Sequence, residues 1–173
     1  DDSASIDLAA NLNTFQNIKY KRKVQKTKEN KKMYYSVILP FKPAAEDLAP
    51  YEFYRFSGAD KQGIDFSEVV AEDVEANVPY LFAVRDSHSE NVFETAITAG
   101  AEPHTLGWHN DTVAMKHGDW VVVGCYSNEV IDVVNGNNGK NANYYFYGVS
   151  SATNKLVRVT NSIKTKPYRM FFV

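Results

Sequence analysis

Cysteine is almost absent from this sequence. Cys125 stands alone in 173 residues, so no intramolecular disulfide can form and thiol usage fixes no compartment. A single thiol suits the cytosol and equally a bacterial exported protein that avoids disulfides. Long apolar runs are missing as well: no stretch approaches the roughly 18 residues that a membrane-spanning helix needs. No signal peptide is visible, and the chain opens Asp1-Asp2-Ser3 without an initiator methionine, as a mature or truncated form of something longer would. Neither sign of charge dominates. Nineteen Lys and Arg face 21 Asp and Glu, for a net charge of -2, which excludes a domain that is basic throughout, the usual form of a dedicated nucleic-acid binder. No G-x-S-x-G, phosphate loop or G-x-G-x-x-G is found. A sustained 3.6-residue apolar stripe and an internal repeat are lacking too.

What is present is apolar and aromatic. Hydrophobic residues make up 44% and aromatics 13%, which excludes a disordered chain. The length suits a single domain over residues 1–173, able to bury about 70% of its unfolded surface without a metal or disulfide staple. Residues 1–14 read as a linker or an N-terminal arm.

Period-2 patterning dominates. Strands are predicted over Ile18–Val24, Met33–Leu39, Tyr51–Phe56, Ile64–Val70, Tyr80–Arg85, Val92–Thr98, Thr112–Met115, Trp120–Tyr126, Val130–Val134, Tyr144–Val149, Lys155–Thr160 and Arg169–Val173. The first two read as a β-hairpin, and Pro43–Leu48 as one helical turn. Leaving aside the very short Thr112–Met115 segment, about ten or eleven short strands with frequent turn signals and little helix predict an all-β fold, an antiparallel β-sandwich of jelly-roll-like form. Trp120 and Phe41 are expected in the core, and Tyr168 and Phe171 are expected to seal one end of it. Gly124, inside a strong strand, predicts a bulge or a close backbone approach.

The charge pattern has one local concentration. Eight of the nineteen basic residues lie between Lys19 and Lys32. Alternation places Lys19, Lys21 and Lys23 on one face of a strand, opposite Ile18, Tyr20, Arg22 and Val24. A polyanion site is one reading of the tract. The favoured reading is a solvated strand face and turn, since no interleaved surface aromatics offer a stacking platform.

Candidate chemistry is sparse. His104, His109 and His117, with Asp111 and Asp119, have residue types that bind metals, but their spacing matches no known ligand motif, and no metal or cofactor is predicted. Cys125 lies mid-strand in an apolar run, where a thiol is inert. Asp60 to Glu68 superficially resembles a calcium loop, but Ile64 and Ala71 stand where side-chain oxygens are required, so a hairpin turn explains it better. No catalytic residue is assigned. The candidate ligand-binding residues are Trp108, His109 and Asp111 in one polar loop, with Asn137 and Asn138 in an Asn/Gly-rich loop as a second candidate.

Five stretches recur in a familiar order: Tyr20-x-Arg22; Val37-Ile38-Leu39-Pro40-Phe41; Asn77-Val78-Pro79-Tyr80-Leu81; Val123-Gly124-Cys125-Tyr126; and Lys166-Pro167-Tyr168-Arg169-Met170-Phe171-Phe172. This order resembles the β-rich C-terminal modules of Bacteroidetes surface proteins, including leucine-rich-repeat adhesin-like proteins, across residues 18–173. The chain departs from them at Tyr34, where the family often has Trp, and at Tyr168, where Phe is usual. The resemblance implies an exported module at the extracellular or outer-membrane surface of a gut or oral bacterium. It implies adhesion, glycan or protein binding, or structural support, and brings no catalytic residues. Expected partners are a host or dietary glycan or a surface protein, with no specific nucleic acid and no transmembrane segment. Two alternatives stand beside it: a glycoside-active or metal-dependent hydrolase using the His104–Asp119 region, and a polyanion binder using Lys19–Lys32.

Overall fold

The computed structural model describes residues 14–15, 17–60, 63–98, 104–105, 112–126, 130–131, 147–150, 155–159, 163–164 and 169–172. Strands β1 (Thr14–Phe15), β2 (Asn17–Lys23), β3 (Thr27–Lys28), β4 (Lys31–Lys32) and β5 (Tyr35–Val37) lead to the short helix α1 (Ala45–Leu48). Strands β6 (Tyr51–Ala59) and β7 (Ile64–Val69) follow, then a 3-10 turn (Ala71–Asp73), β8 (Tyr80–Val84), β9 (Val92–Thr98) and β10 (His104–Thr105). The remainder comprises β11 (Thr112–His117), β12 (Trp120–Cys125), β13 (Val130–Ile131), β14 (Tyr147–Val149), β15 (Leu156–Arg158), β16 (Ile163–Lys164) and β17 (Arg169–Phe172). Six of these seventeen strands are two residues long, leaving eleven of three or more among the described residues. Every pairing is antiparallel, and the chain is an all-β, sandwich-like fold, as the alternation predicts.

Two sheets carry the architecture, in the orders β5-β8-β6-β7 and β11-β12-β17-β14-β15. The first is covered on both faces. On one, Tyr51, Phe53 and Phe82 meet the β2–β9 ribbon, with the Phe93 ring 4.9 Å from Tyr51 and 4.7 Å from Phe82. On the other, Phe56 and Leu81 pack against Val122, Met170 and Phe172 of the five-stranded sheet. A central strand covered on both sides has no wet face, so β8 (Tyr-Leu-Phe-Ala-Val) is buried at every position. Helix α1 docks on β9, where Asp47 accepts hydrogen bonds from the Thr95 hydroxyl (3.0 Å) and the Ala96 amide (3.2 Å).

Arg22 explains its place on the apolar side of β2. Its guanidinium lies 4.8 Å from the Tyr35 ring centre and 5.8 Å from that of Phe82, and it donates to the Ser36 carbonyl at 2.6 Å. The cation spans the space between ribbon and sheet, satisfied by rings and a carbonyl. A second polar tie lies deeper. The fully buried Tyr126 donates its hydroxyl to Asn77 Oδ1 (2.6 Å), with the Leu39 carbonyl 3.3 Å away. The Asn77 amide donates to that same carbonyl at 2.7 Å, from a left-handed backbone (φ 62°) that asparagine tolerates.

Three local expectations are corrected. The Ile18–Val24 and Met33–Leu39 segments do not pair with each other: β2 pairs with β9, and β5 with β8. The hairpin between them is the minimal β3–β4 pair, closed by Glu29 and Asn30, both at positive φ (52° and 61°), a turn whose twist suits a two-residue loop. At the carboxyl end, Met170 and Phe172 face the core and Phe171 takes the alternate side, because a strand alternates. Tyr168 lies outside the described residues. Trp120 is only half-buried, resting against Tyr147 with ring centres 5.3 Å apart, whereas Phe41 is in the core. Gly124 keeps the ladder regular and serves as a close approach: a Cβ there would stand 2.5 Å from Ile38 Cδ1.

Ile38 is fully buried, and its Cβ and Cγ2 also stand 3.3 Å from that position, so turning the δ-methyl away does not remove the crowding. Gly124→Ala is therefore expected to destabilise the fold by about 1–3 kcal/mol through overpacking. Tyr126→Phe is expected to cost about 1–3 kcal/mol by orphaning the Asn77 side-chain oxygen. Urea unfolding midpoints with unchanged m-values check both, and a midpoint equal to that of the unsubstituted protein in either variant contradicts the contact it removes.

Candidate functional site

The sequence-derived candidates Trp108, His109, Asp111, Asn137 and Asn138 lie outside the described residues. The flanking histidines occupy different sheets. His104 is in β10, paired with Phe15 of β1, and His117 ends β11 opposite Trp120. Among the described residues no group of three metal-ligating side chains converges. Cys125 is fully buried and its thiol faces the Arg169 carbonyl at 3.6 Å.

The lysine tract is folded into ion pairs over much of its length. Lys19 and Lys21 flank Glu94 on the exposed face of the β2–β9 ribbon, Lys21 at 2.9 Å. Two hydrogen bonds, from Lys19 first and then Lys21, hold the Glu94 carboxyl below its ordinary pKa. Lys26 donates to the Asp86 carbonyl. Lys32 reaches Glu52 at 2.6 Å and Asp86 at 3.8 Å. Lys23, Lys28 and Lys31 point into solvent.

Glu52 is the centre of a half-buried polar cluster. Its Oε2 accepts from Lys32 Nζ and from the Tyr54 hydroxyl, both at 2.6 Å. Burial alone would raise its carboxyl, but these two bonds outweigh it and hold the pKa below the ordinary 4.5. Burial likewise works to lower the Lys32 ammonium, and the bond and charge of Glu52 override it, so its pKa stands above the ordinary 10.5. Tyr54 is pushed well up by burial and then by its bond to Glu52. Tyr51, which donates to the Val92 carbonyl, is raised to about 12 by burial and by the charge of Glu90. Hydroxyls that hold their protons this firmly act near neutrality as fixed donors.

The cleft of interest lies elsewhere, where β6 and β7 approach β11. It encloses about 370 Å³ and is lined by Arg55, Phe56, Ser57, Ser67, Val69, Met115, Lys116 and His117. The β6–β7 register shifts between Phe56 and Gly58, so Ser57 has no cross-strand partner. A bulge of this kind re-aims neighbouring side chains. Gly58 opposes Asp65, and the His117 ring rests over it, with Cε1 3.3 Å from where a Cβ would stand. The ring also meets Phe56 edge-on at 6.0 Å. Arg55, Ser57, Ser67, Lys116 and His117 are exposed, Phe56 is buried, and Val69 and Met115 are half-buried. Such a site presents donors around an apolar floor.

The chain matches no family model, no curated protein and no solved structure. The site therefore rests on its own geometry. Of the cleft residues, sequence reasoning had singled out only His117. Arg55 carried a legible signal, since it continues the apolar parity of Tyr51 and Phe53, as Arg22 does on β2. No helix among the described residues is long and apolar enough to cross a membrane.

The Glu52 cluster makes a pH-dependent contribution of fixed sign. A carboxyl with a lowered folded pKa stabilises the fold above about pH 4.5 and loses that contribution as pH falls through the lowered value. Lys32 acts oppositely: its contribution is complete below 10.5 and is lost as pH rises through its raised value. The destabilisation caused by Glu52→Gln at neutral pH is expected to shrink toward zero at strongly acidic pH, read from paired urea curves. A destabilisation of constant size would separate Glu52 from ionisation.

Proposed function

We propose that the chain is a non-catalytic recognition module of an exported bacterial surface protein, of the gut or oral Bacteroidetes type, that contacts a glycan or a protein surface. The observation that carries this reading is the cleft between β6–β7 and β11, which gathers Arg55, Lys116 and His117 around an apolar floor. None of these three side chains has a hydrogen-bond or ion-pair partner among the described residues. Polar groups left unused at the rim of a rigid β scaffold are free to meet a ligand.

The motif order adds support from another direction. The described motif residues Tyr20, Arg22, Leu39, Asn77, Tyr126 and Arg169 all make internal contacts, and Arg169 donates to the Tyr20 hydroxyl at 3.4 Å. The cleft residues lie outside the five motifs. That division, a common scaffold with separate ligand groups, suits a family of surface modules with differing partners. The paired state of Lys19, Lys21 and Lys32 speaks for the solvated-face reading of that tract.

A panel of mucin and plant glycans, matrix proteins, heparin and DNA tests the proposal, at low and physiological salt, with and without EDTA. Binding to a glycan or protein that persists at physiological salt is expected. It should fall in Arg55→Ala, or in Trp108→Ala if the site lies in that loop. Turnover of a panel glycan overturns the non-catalytic reading, and binding confined to heparin and DNA that vanishes with salt overturns the recognition reading.

A further inference from the structure

We infer that the cleft binds a saccharide unit carrying one anionic group, a carboxylate or a sulfate. The inference rests on the recognition reading above and gives it a ligand class. Three nitrogen-bearing side chains line the cleft, from two different sheets: Arg55 of β6, and Lys116 and His117 of β11. Two hydroxyls, Ser57 and Ser67, accompany them, and no carboxylate is among the lining residues. Elsewhere in the described fold four lysines, Lys19, Lys21, Lys32 and Lys42, are each met by a carboxylate. Cations gathered in one concavity without counter-charge attract an anion, and a guanidinium can hold a carboxylate or sulfate through two parallel bonds.

The rest of the lining decides the class. The volume of about 370 Å³ lies near the small end of the roughly 300–1,000 Å³ found for ligand sites, so the occupant is small. Phe56 and Met115, which belong to one apolar cluster, provide an apolar surface suited to the C–H face of a sugar ring. Ser57 and Ser67 can both donate and accept, as neighbouring sugar hydroxyls require. The flanks restrict the charge to one group. Asp65 lies two residues before Ser67, and Asp119 two residues after His117, both exposed. Carboxylates this near to lining residues in the chain disfavour a run of further anionic groups. His117 belongs to the site because Gly58 leaves room for its ring beside the bulge.

The test is an NMR titration that follows the imidazole signals of the intact chain, which has four histidines. The probes are methyl glucuronide and glucose 6-sulfate, with methyl glucoside as the neutral control. At least one charged probe is expected to shift the His117 resonance saturably, and the neutral control to bind about tenfold more weakly or not at all. Losing one charge-assisted bond in Arg55→Gln should weaken binding by about tenfold. Lys19→Gln, on the ribbon, should leave it unchanged. Gly58→Ala, which would put a Cβ 3.3 Å from Cε1 of the exposed His117 ring, should weaken binding while leaving the unfolding midpoint close to that of the unsubstituted chain.

The two charged probes separate carboxylate from sulfate. Equal binding of the neutral sugar overturns the anionic class and leaves the recognition reading standing. No His117 shift with any probe, alongside a glycan or protein hit in the wider panel, overturns this site alone. A blank in both experiments overturns both readings. Tighter binding of a phosphoserine peptide than of either charged sugar overturns the saccharide class.

Discussion

The hydroxyl of Tyr126 is the point on which the remaining structure depends. It is buried, so it must find an acceptor inside the protein, and it finds Asn77 Oδ1 at 2.6 Å beside the Leu39 carbonyl. Leu39, Asn77 and Tyr126 come from three distant parts of the chain. Joining them fixes the segment after β5, the turn before β8 and the end of β12 relative to one another. Asn77 accepts a left-handed backbone for this, and Gly124 gives up a side chain so that β12 can lie against Ile38. Arg22 makes a second tie at the same apolar cluster, between Tyr35 and Phe82. Buried polar groups of this kind add little net energy when satisfied, but a register that breaks them is costly, so they select one arrangement of sheets.

Covering both faces of the β5-β8-β6-β7 sheet leaves few places for chemistry. The faces are given over to phenylalanine and tyrosine rings, and the open surface lies at the strand ends and the outer edge. The bulge at Ser57 sits at such a margin, where β6 and β7 come near β11. It is there that the alternation lapses and side chains from separate sheets gather.

The fold was legible where one physical signal governed. Strand β9 was read with its observed bounds, because Val92 to Thr98 alternates and is bounded by turns. The Asp60–Gly63 turn was legible as a hairpin, and Asp60 closes it by accepting from the Gly63 amide at 3.0 Å. Partnership was not legible. The sequence places β2 and β5 close together along the chain, and short separation argues for pairing, yet both chose partners far downstream because their apolar faces fit there. The two-residue strands carry too few positions for alternation to register. The cleft was invisible for a related reason: Arg55 and Ser67 face each other across the β6–β7 hairpin, but His117 lies far downstream, and only the approach of β11 brings it to them. The residues flagged for local polarity, Trp108 foremost, lie outside the described residues.

The pairing of β2 with β9 has a kinetic meaning. Asn17 faces Thr98 and Lys23 faces Val92, so each rung closes a loop of some 70 to 80 residues. During synthesis β2 therefore emerges several seconds before β9, at roughly 5–20 residues per second. A bare apolar strand would spend that interval seeking any free edge. The alternating Lys19, Lys21 and Lys23 repel such company until Glu94 arrives to receive two of them. The lysine tract thus suits a strand that must wait for a distant partner.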